Sequence, residues 1–234
     1  MINASSDFTP GPGDWLDGPV RKKGLVIASG SSAVKTSVLD VIAREVPDLT
    51  ILVADRSLLD VLKKGITPDK FPNFYCCINE NIIRKDGLDL LPEFFYHDEI
   101  FPITTSISLY CCQLLEEKRL DLLKDMGFQI RRFNRFGKGP GPGPVVRTAG
   151  NCGMAILEIG RHVLKIDKIG FIGLDLDQTE SWKNKPDLNE LVISKNQLID
   201  DFIKTGKTVY SLTRLGNLHG KGIEETTIHD FLKD

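Results

Sequence analysis

The sequence lacks the features that mark several large classes of protein. Among its 234 residues, 30 Lys and Arg face 32 Asp and Glu, which leaves a formal charge of −2. This balance provides no long-range attraction to polyanions, so we predict no nucleic-acid partner. No apolar run approaches the roughly 20 residues that span a bilayer, and the N-terminus is polar where a secretory signal is apolar. We therefore expect a cytoplasmic protein without a transmembrane segment.

The cysteines, an odd set with two adjacent pairs, do not predict a disulfide framework, and the dispersed histidines do not predict a metal site. A disulfide framework normally uses an even, dispersed set of cysteines, and zinc sites use spacings such as CxxC. Neither pattern occurs here, and the four histidines show no HxxxH or HExxH spacing. We expect reduced, buried cysteines. They are Cys76, Cys77, Cys111, Cys112 and Cys152.

The sequence does contain a regular alternation of strand-like and helix-like patterns. Because each parallel connection must return over a face of the sheet, this alternation predicts an α/β, Rossmann-like three-layer sandwich with a mainly parallel central sheet. Residues 1–18 are rich in Pro and Gly and are predicted to be a flexible arm, and residues 19–234 a single nucleotide-binding domain. Strands are predicted at 25–28, 50–54, 74–78, 128–133, 168–174 and 208–212, and helices at 57–64, 106–126, 154–164, 188–205 and 227–232.

Small and polar residues follow the predicted strands, where open parallel sheets bind their ligands. After the first strand, Gly30, Ser31 and Ser32 offer a tight turn and backbone N–H groups that suit a phosphate. An ordinary turn with a serine cap explains the same residues. Gly150 and Asn151 precede another predicted helix and offer similar access, although close helix packing also explains the glycine.

Three further polar residues occupy equivalent positions after other strands. Asn79 follows the third strand and suits the edge of a base or a ribose, or it belongs to a solvated turn. Asp175 and Asp177 follow the most apolar strand. These carboxylates suit a divalent cation or a sugar hydroxyl, while a turn cap is the structural alternative. The segment at 137–144, GKGPGPGP, follows the predicted strand at 128–133 and is predicted to be an irregular loop. It is either a mobile flap or a spacer.

Taken together, these segments resemble the 6-hydroxymethylpterin diphosphokinase-like family, whose Rossmann-like domain is distantly similar to bacterial sialyltransferases. The resemblance covers residues 24–232. It depends on the occurrence of five segments in a fixed order along the chain, which are VIASGSSA, LLDVLKKGITPD, TAGNCGMAILEIG, KIGFIGLDL and VYSLTRLGNLHGKGIEE.

The resemblance implies two enzymatic activities, and the sequence departs from both. Archaeal pterin diphosphokinases of this family bind magnesium with a TDLD-type acidic motif. This chain has FYCCINE at the corresponding place, 74–80, and so lacks the expected metal ligands. Sialyltransferase-like members place Asn after this strand, as Asn79 does, but they use a histidine between the later Gly-x-Asp strand, here 168–175, and the helix that follows it. Residues 178–193 contain no histidine.

The resemblance and the strand-end residues together predict a nucleotide-binding transferase. Sugar transfer from a nucleotide sugar is the first prediction. The alternatives are a Mg²⁺-dependent diphosphokinase that acts on a hydroxymethylpterin-like acceptor, and a non-catalytic nucleotide-binding module. A homo-oligomer is compatible with the sequence. The predicted site has Gly30, Ser31 and Ser32 at the phosphates, Asn79 at the base or ribose, Gly150 and Asn151 at the transfer site, and Asp175 and Asp177 as catalytic or metal-binding carboxylates.

Overall fold

A computed structural model describes much of the chain, including nine strands of a large sheet. The described residues are 23–28, 33, 37–78, 82–83, 89–90, 106–115, 117–135, 141, 143–146, 148, 152–174, 200, 204, 208–213 and 222–233. The strands are β1 Lys23–Ile27, β2 Thr50–Ala54, β3 Phe74–Ile78, β4 Ile82–Ile83, β5 Asp89–Leu90, β6 Ser108–Cys112, β7 Gln129–Arg135, β8 Val145–Val146, β9 Lys168–Ile172, β10 Thr208–Ser211 and β11 Ile223–Glu225.

Nine of these strands form one parallel sheet. Their order is β11-β10-β9-β1-β2-β3-β6-β7-β8, and each neighbouring pair is parallel. Strands β4 and β5 form a separate antiparallel pair. The prediction of a Rossmann-like α/β fold with a mainly parallel sheet is confirmed.

Helices cover both faces of this sheet. They are α1 Val38–Glu45, α2 Leu58–Lys63, α3 Glu117–Asp125, α4 Cys152–Glu158 and α5 Ile228–Lys233, and α4 continues into a π-helical turn, Ile159–Val163. The apolar side chains of α1, α2, α3 and α5 pack in one buried cluster, whereas those of α4 belong to a second cluster. Along β1, Leu25 and Ile27 join the first cluster and Val26 joins the second. The sheet is therefore the middle of three layers.

Burial on both faces explains why the central strands are continuous apolar runs in the sequence. Every residue of β2 and β3 is buried, as expected of parallel strands that lie between two helical layers. Gly65 and Gly127, which follow α2 and α3 within two residues, have left-handed backbones with φ of 77° and 90°. These positions agree with glycine caps at helix ends.

One element was predicted wrongly. The predicted helix at 106–126 is a strand, β6, followed by a turn and by α3 from Glu117 onward. The last four residues of β6, Leu109 to Cys112, are buried and belong alternately to the clusters on the two faces of the sheet. A short apolar run of this kind has no periodicity that separates a strand from a buried helix. Tertiary burial decided the outcome.

Several other predictions concern residues outside the described part of the chain. The arm at 1–18 lies there entirely, and so does most of the predicted helix at 188–205, of which Asp200 and Lys204 are described and helical. Within the described residues, no helix is both long enough and apolar enough to cross a membrane.

Candidate functional site

The strand order reverses at β1, and this reversal locates the candidate site. From β1 the chain adds β2, β3, β6 and β7 on one side, and then returns to place β9 on the other side. Helix α1 leaves β1 over one face, whereas α4 approaches β9 over the opposite face. Connections that diverge in this way open a crevice beyond the carboxyl ends of the two strands, where open α/β sheets bind ligands.

The ends of β1 and β9 leave no room for a side chain at Gly173. The Ala28 amide donates a hydrogen bond to the Ile172 carbonyl at 3.0 Å, which extends the ladder beyond β1. The next residue of that strand end, Gly173, has φ of +72°. A Cβ added there would overlap the Ala28 carbonyl oxygen and lie 2.9 Å from the Ala33 Cβ. Glycine is therefore required at position 173, where the segments that follow β1 and β9 separate.

A buried carboxyl group, Asp55, lies at the same edge, directly after β2. Its exposed fraction is 6%, and its Oδ1 accepts a hydrogen bond of 2.7 Å from the Arg56 amide. Burial raises the pKa of Asp55, while the amide and charge of Arg56 and a hydrogen bond with Cys152 act in the opposite direction. A carboxyl group with a raised pKa at a ligand-binding edge is a functional-site candidate.

Two thiols form a hydrogen-bonded chain with this carboxyl group. Cys77 pairs with Ala54 across β2 and β3, one residue before Asp55. Cys152 is the first residue of α4, and its thiol hydrogen-bonds to Asp55 and to Cys77. Burial raises the pKa of Cys77 well above the ordinary thiol value. All five cysteines are free, and four are buried while Cys152 is partly exposed, in agreement with the predicted reduced set.

The turn that contains Asp55 also holds an unsatisfied hydroxyl group. Asp55–Ser57 forms a 3₁₀ turn between β2 and α2. Ser57 is 5% exposed, and its Oγ is buried without a hydrogen-bond partner. Although Ser57 is the N-cap residue of α2, its side chain makes no capping hydrogen bond. This hydroxyl keeps its full capacity to donate and accept.

Farther along the same edge, Asn134 fastens the glycine- and proline-rich loop to β7. Its Nδ2 donates to the carbonyls of Gly141 at 2.6 Å and Gly143 at 2.7 Å. Its amide donates to the Pro144 carbonyl at 2.8 Å. The described end of this loop is therefore bound to the sheet edge, while residues 136–140 lie outside the described part.

The predicted site residues themselves lie outside the described part of the chain. The structure nevertheless describes the strand ends that lead to them. Ala28 and Leu174 follow the adjacent strands β1 and β9, and Ile78 ends β3. The predicted site residues are Gly30, Ser31, Ser32, Asn79, Gly150, Asn151, Asp175 and Asp177. That these eight residues lie close to one another stays a prediction.

Sequence reasoning did not select Asp55 or Ser57 as site residues. One signal was present, because Asp55 directly follows a buried strand. The number of residues between Gly30 and Asp55 in the sequence is also close to the roughly 20 after which Rossmann folds place a ribose-binding acid. The orphan hydroxyl of Ser57 had no sequence signal, since serine before a helix normally predicts a cap. Among the described residues, no group of three or more His, Cys, Asp or Glu side chains is arranged to hold a metal ion.

Comparison with known proteins adds no family assignment. No protein-family model, curated protein or solved structure significantly matches this chain. The resemblance to the 6-hydroxymethylpterin diphosphokinase-like family stays a prediction. Because a Rossmann-like fold hosts many unrelated activities, an argument about function must come from the site.

Proposed function

We propose that this protein binds a nucleotide at the carboxyl edge formed by β9, β1 and β2 and uses it in a transfer reaction. The observation that carries the proposal is Asp55, a buried carboxyl group at the end of the strand next to β1. In Rossmann folds an acid at this position accepts hydrogen bonds from ribose hydroxyls.

The neighbouring segments fit the other parts of a nucleotide. The predicted phosphate-binding residues, Gly30 to Ser32, begin three residues after the end of β1, which is the sheet neighbour of β2. Asn79 follows β3, the next strand beyond β2. A ribose at Asp55 would thus have the phosphates on one side and the base on the other. Proximity along three adjacent strand ends supports one continuous nucleotide site.

The chemistry of Asp55 is suited to a ligand that donates hydrogen bonds. Its carboxyl group already accepts from the Arg56 amide and interacts with Cys152. Burial disfavours the charged form, whereas two ribose hydroxyls would favour it by donating to the carboxylate. Ligand binding should therefore stabilise the ionised form of Asp55 and release a proton wherever this group is protonated in the free protein.

The transfer step is proposed from the resemblance, with sugar transfer from a nucleotide sugar as the reaction. Asp175 or Asp177 would orient or deprotonate the acceptor hydroxyl. Gly150 and Asn151 would line the transfer site. The departing phosphate would be stabilised by backbone N–H groups of the turns after β1 and before α4.

Calorimetric titration of CMP, UDP, GDP and ATP, each with magnesium and with EDTA, tests this proposal. We expect a nucleoside mono- or diphosphate to bind in EDTA. We expect Asp55→Asn to weaken binding by about 10- to 100-fold, because hydrogen bonds to a charged group contribute about 1.5–3 kcal/mol. Asp60→Asn is the matched control, since Asp60 is exposed on the neighbouring helix α2.

Three outcomes would contradict parts of the proposal. Unchanged affinity in a folded Asp55→Asn variant would remove the ribose assignment. Strictly magnesium-dependent ATP binding, with AMP released in the presence of a hydroxymethylpterin, would replace sugar transfer with diphosphokinase activity. Nucleotide binding without turnover of any nucleotide sugar would favour a non-catalytic module.

A further inference from the structure

Ser57 differs from Ser211 and Thr227, whose hydroxyl groups form hydrogen bonds within the fold. Ser211 is 3% exposed, and its Oγ donates to the Thr213 carbonyl at 2.7 Å. Thr227 Oγ1 accepts from the Asp230 amide at 3.1 Å at the start of α5. Ser57 Oγ is equally buried and has no partner. The fold therefore satisfies a buried serine and caps another helix, but leaves this hydroxyl group unsatisfied.

An unsatisfied buried hydroxyl destabilises the free protein, and a bound ligand can remove that cost. Ser57 and Asp55 lie two residues apart on one 3₁₀ turn. The rise of about 2.0 Å per residue places their backbones within about 4 Å along the turn axis. Rotation about one side-chain bond moves the Ser57 hydroxyl between staggered positions. The turn can therefore present a carboxylate and a hydroxyl to two neighbouring groups of one ligand.

We infer that Ser57 acts with Asp55 to recognise the 2′,3′-diol of a ribose, so that the site selects ribonucleotides over 2′-deoxyribonucleotides. This inference rests on the proposed nucleotide site. Asp55 accepts from one or both ribose hydroxyls, and Ser57 donates to the oxygen of one of them. Removal of the 2′-hydroxyl leaves a buried polar group of the turn without its partner, and such losses discriminate strongly between substrates.

The test compares each ribonucleotide with its 2′-deoxy counterpart by calorimetric titration of the full-length protein. The probe pairs are CMP with dCMP, UDP with dUDP, GDP with dGDP and ATP with dATP. We expect the unaltered protein to prefer the ribonucleotide of the best-binding pair by at least tenfold. We expect Ser57→Ala to lower this ratio by weakening only the ribonucleotide, while Asp55 retains the rest of the preference. Ser57→Thr retains the hydroxyl group and should keep most of the preference.

Thermal unfolding separates a recognition role from a structural role. Because the Ser57 hydroxyl has no partner to lose, Ser57→Ala should leave the Tm of the ligand-free protein unchanged or raise it. Ser211→Ala is the control, since it removes a buried hydrogen bond and should lower the Tm without altering the ribose preference. A lowered Tm with an unchanged ratio in Ser57→Ala would show a cap or a buried water site and overturn the inference.

The two proposals fail in different ways. If none of the four nucleotides binds, the nucleotide site itself is wrong, and the inference falls with it. If a nucleotide binds with equal affinity in its ribo and 2′-deoxy forms, only the ribose inference is overturned. This comparison uses the unaltered protein, so it decides the question even when a Ser57 variant fails to fold.

Discussion

Gly173 and Gly65 share a left-handed backbone but differ in their surroundings, so their alanine variants separate two energetic costs. Their φ values are +72° and +77°, and this conformation costs alanine about 1–2 kcal/mol at each site. At Gly173 an added Cβ would also overlap the Ala28 carbonyl oxygen and lie 2.9 Å from the Ala33 Cβ. At Gly65 its nearest neighbour would be the Lys70 Nζ at 3.5 Å, which is ordinary contact.

The overlap at Gly173 involves backbone atoms that cannot move without separating β1 from β9. Crowding of this kind adds about 1–3 kcal/mol. We therefore expect Gly173→Ala to lower the free energy of unfolding by about 2–5 kcal/mol, and Gly65→Ala by about 1–2 kcal/mol.

Urea unfolding followed by circular dichroism measures both losses. The urea midpoint should fall further in Gly173→Ala, with the slope unchanged in both variants. Under conditions where both variants are folded, nucleotide binding should weaken only in Gly173→Ala, because only this variant disturbs the crevice. Equal urea midpoints in the two variants would refute the close approach of β1 and β9.

Three other perturbations test separate parts of the edge. Since burial raises the pKa of Asp55 above its ordinary value of 3.8, folding stability should fall as the pH rises from 3.8 through the raised value. Asp55→Asn should remove this fall in stability. The Tm of the variant should therefore exceed that of the unaltered protein at neutral pH and match it below pH 3.8. Equal Tm values for the two proteins at both pH values would contradict the raised pKa of Asp55. Asn134→Leu should lower stability by about 2–4 kcal/mol, because it removes two donors that hold the Gly141 and Gly143 carbonyls, and an unchanged urea midpoint would show that these bonds are not formed. Cys152, the one partly exposed thiol among the five cysteines, should be the first to react with a thiol reagent in the native protein, and Cys152→Ser should remove that first equivalent.

The sequence was sufficient to predict elements whose local pattern agrees with their burial. The bounds of β2 and β3 match the predicted strands at 50–54 and 74–78, because each is a short apolar run between turn residues. The prediction for residues 106–126 failed because a buried apolar strand is followed by a largely charged helix, with no glycine or proline between them. An apolar run that is buried on both faces has no periodicity, so its type has to be predicted from its length and from the turn residues on either side.

The candidate site divides in the same way between sequence and structure. The alternation of strands and helices by itself determined that polar residues after the strands would collect at one edge of a parallel sheet. Only the tertiary structure decided that β1 and β9 are neighbours, which brings distant strand ends together through the Ala28 to Ile172 hydrogen bond. It also decided that Asp55 is buried beside Cys152, although almost a hundred residues separate them in the chain. Burial and hydrogen-bond satisfaction depend on every element that packs around a side chain, so the residue types along the chain cannot encode them locally.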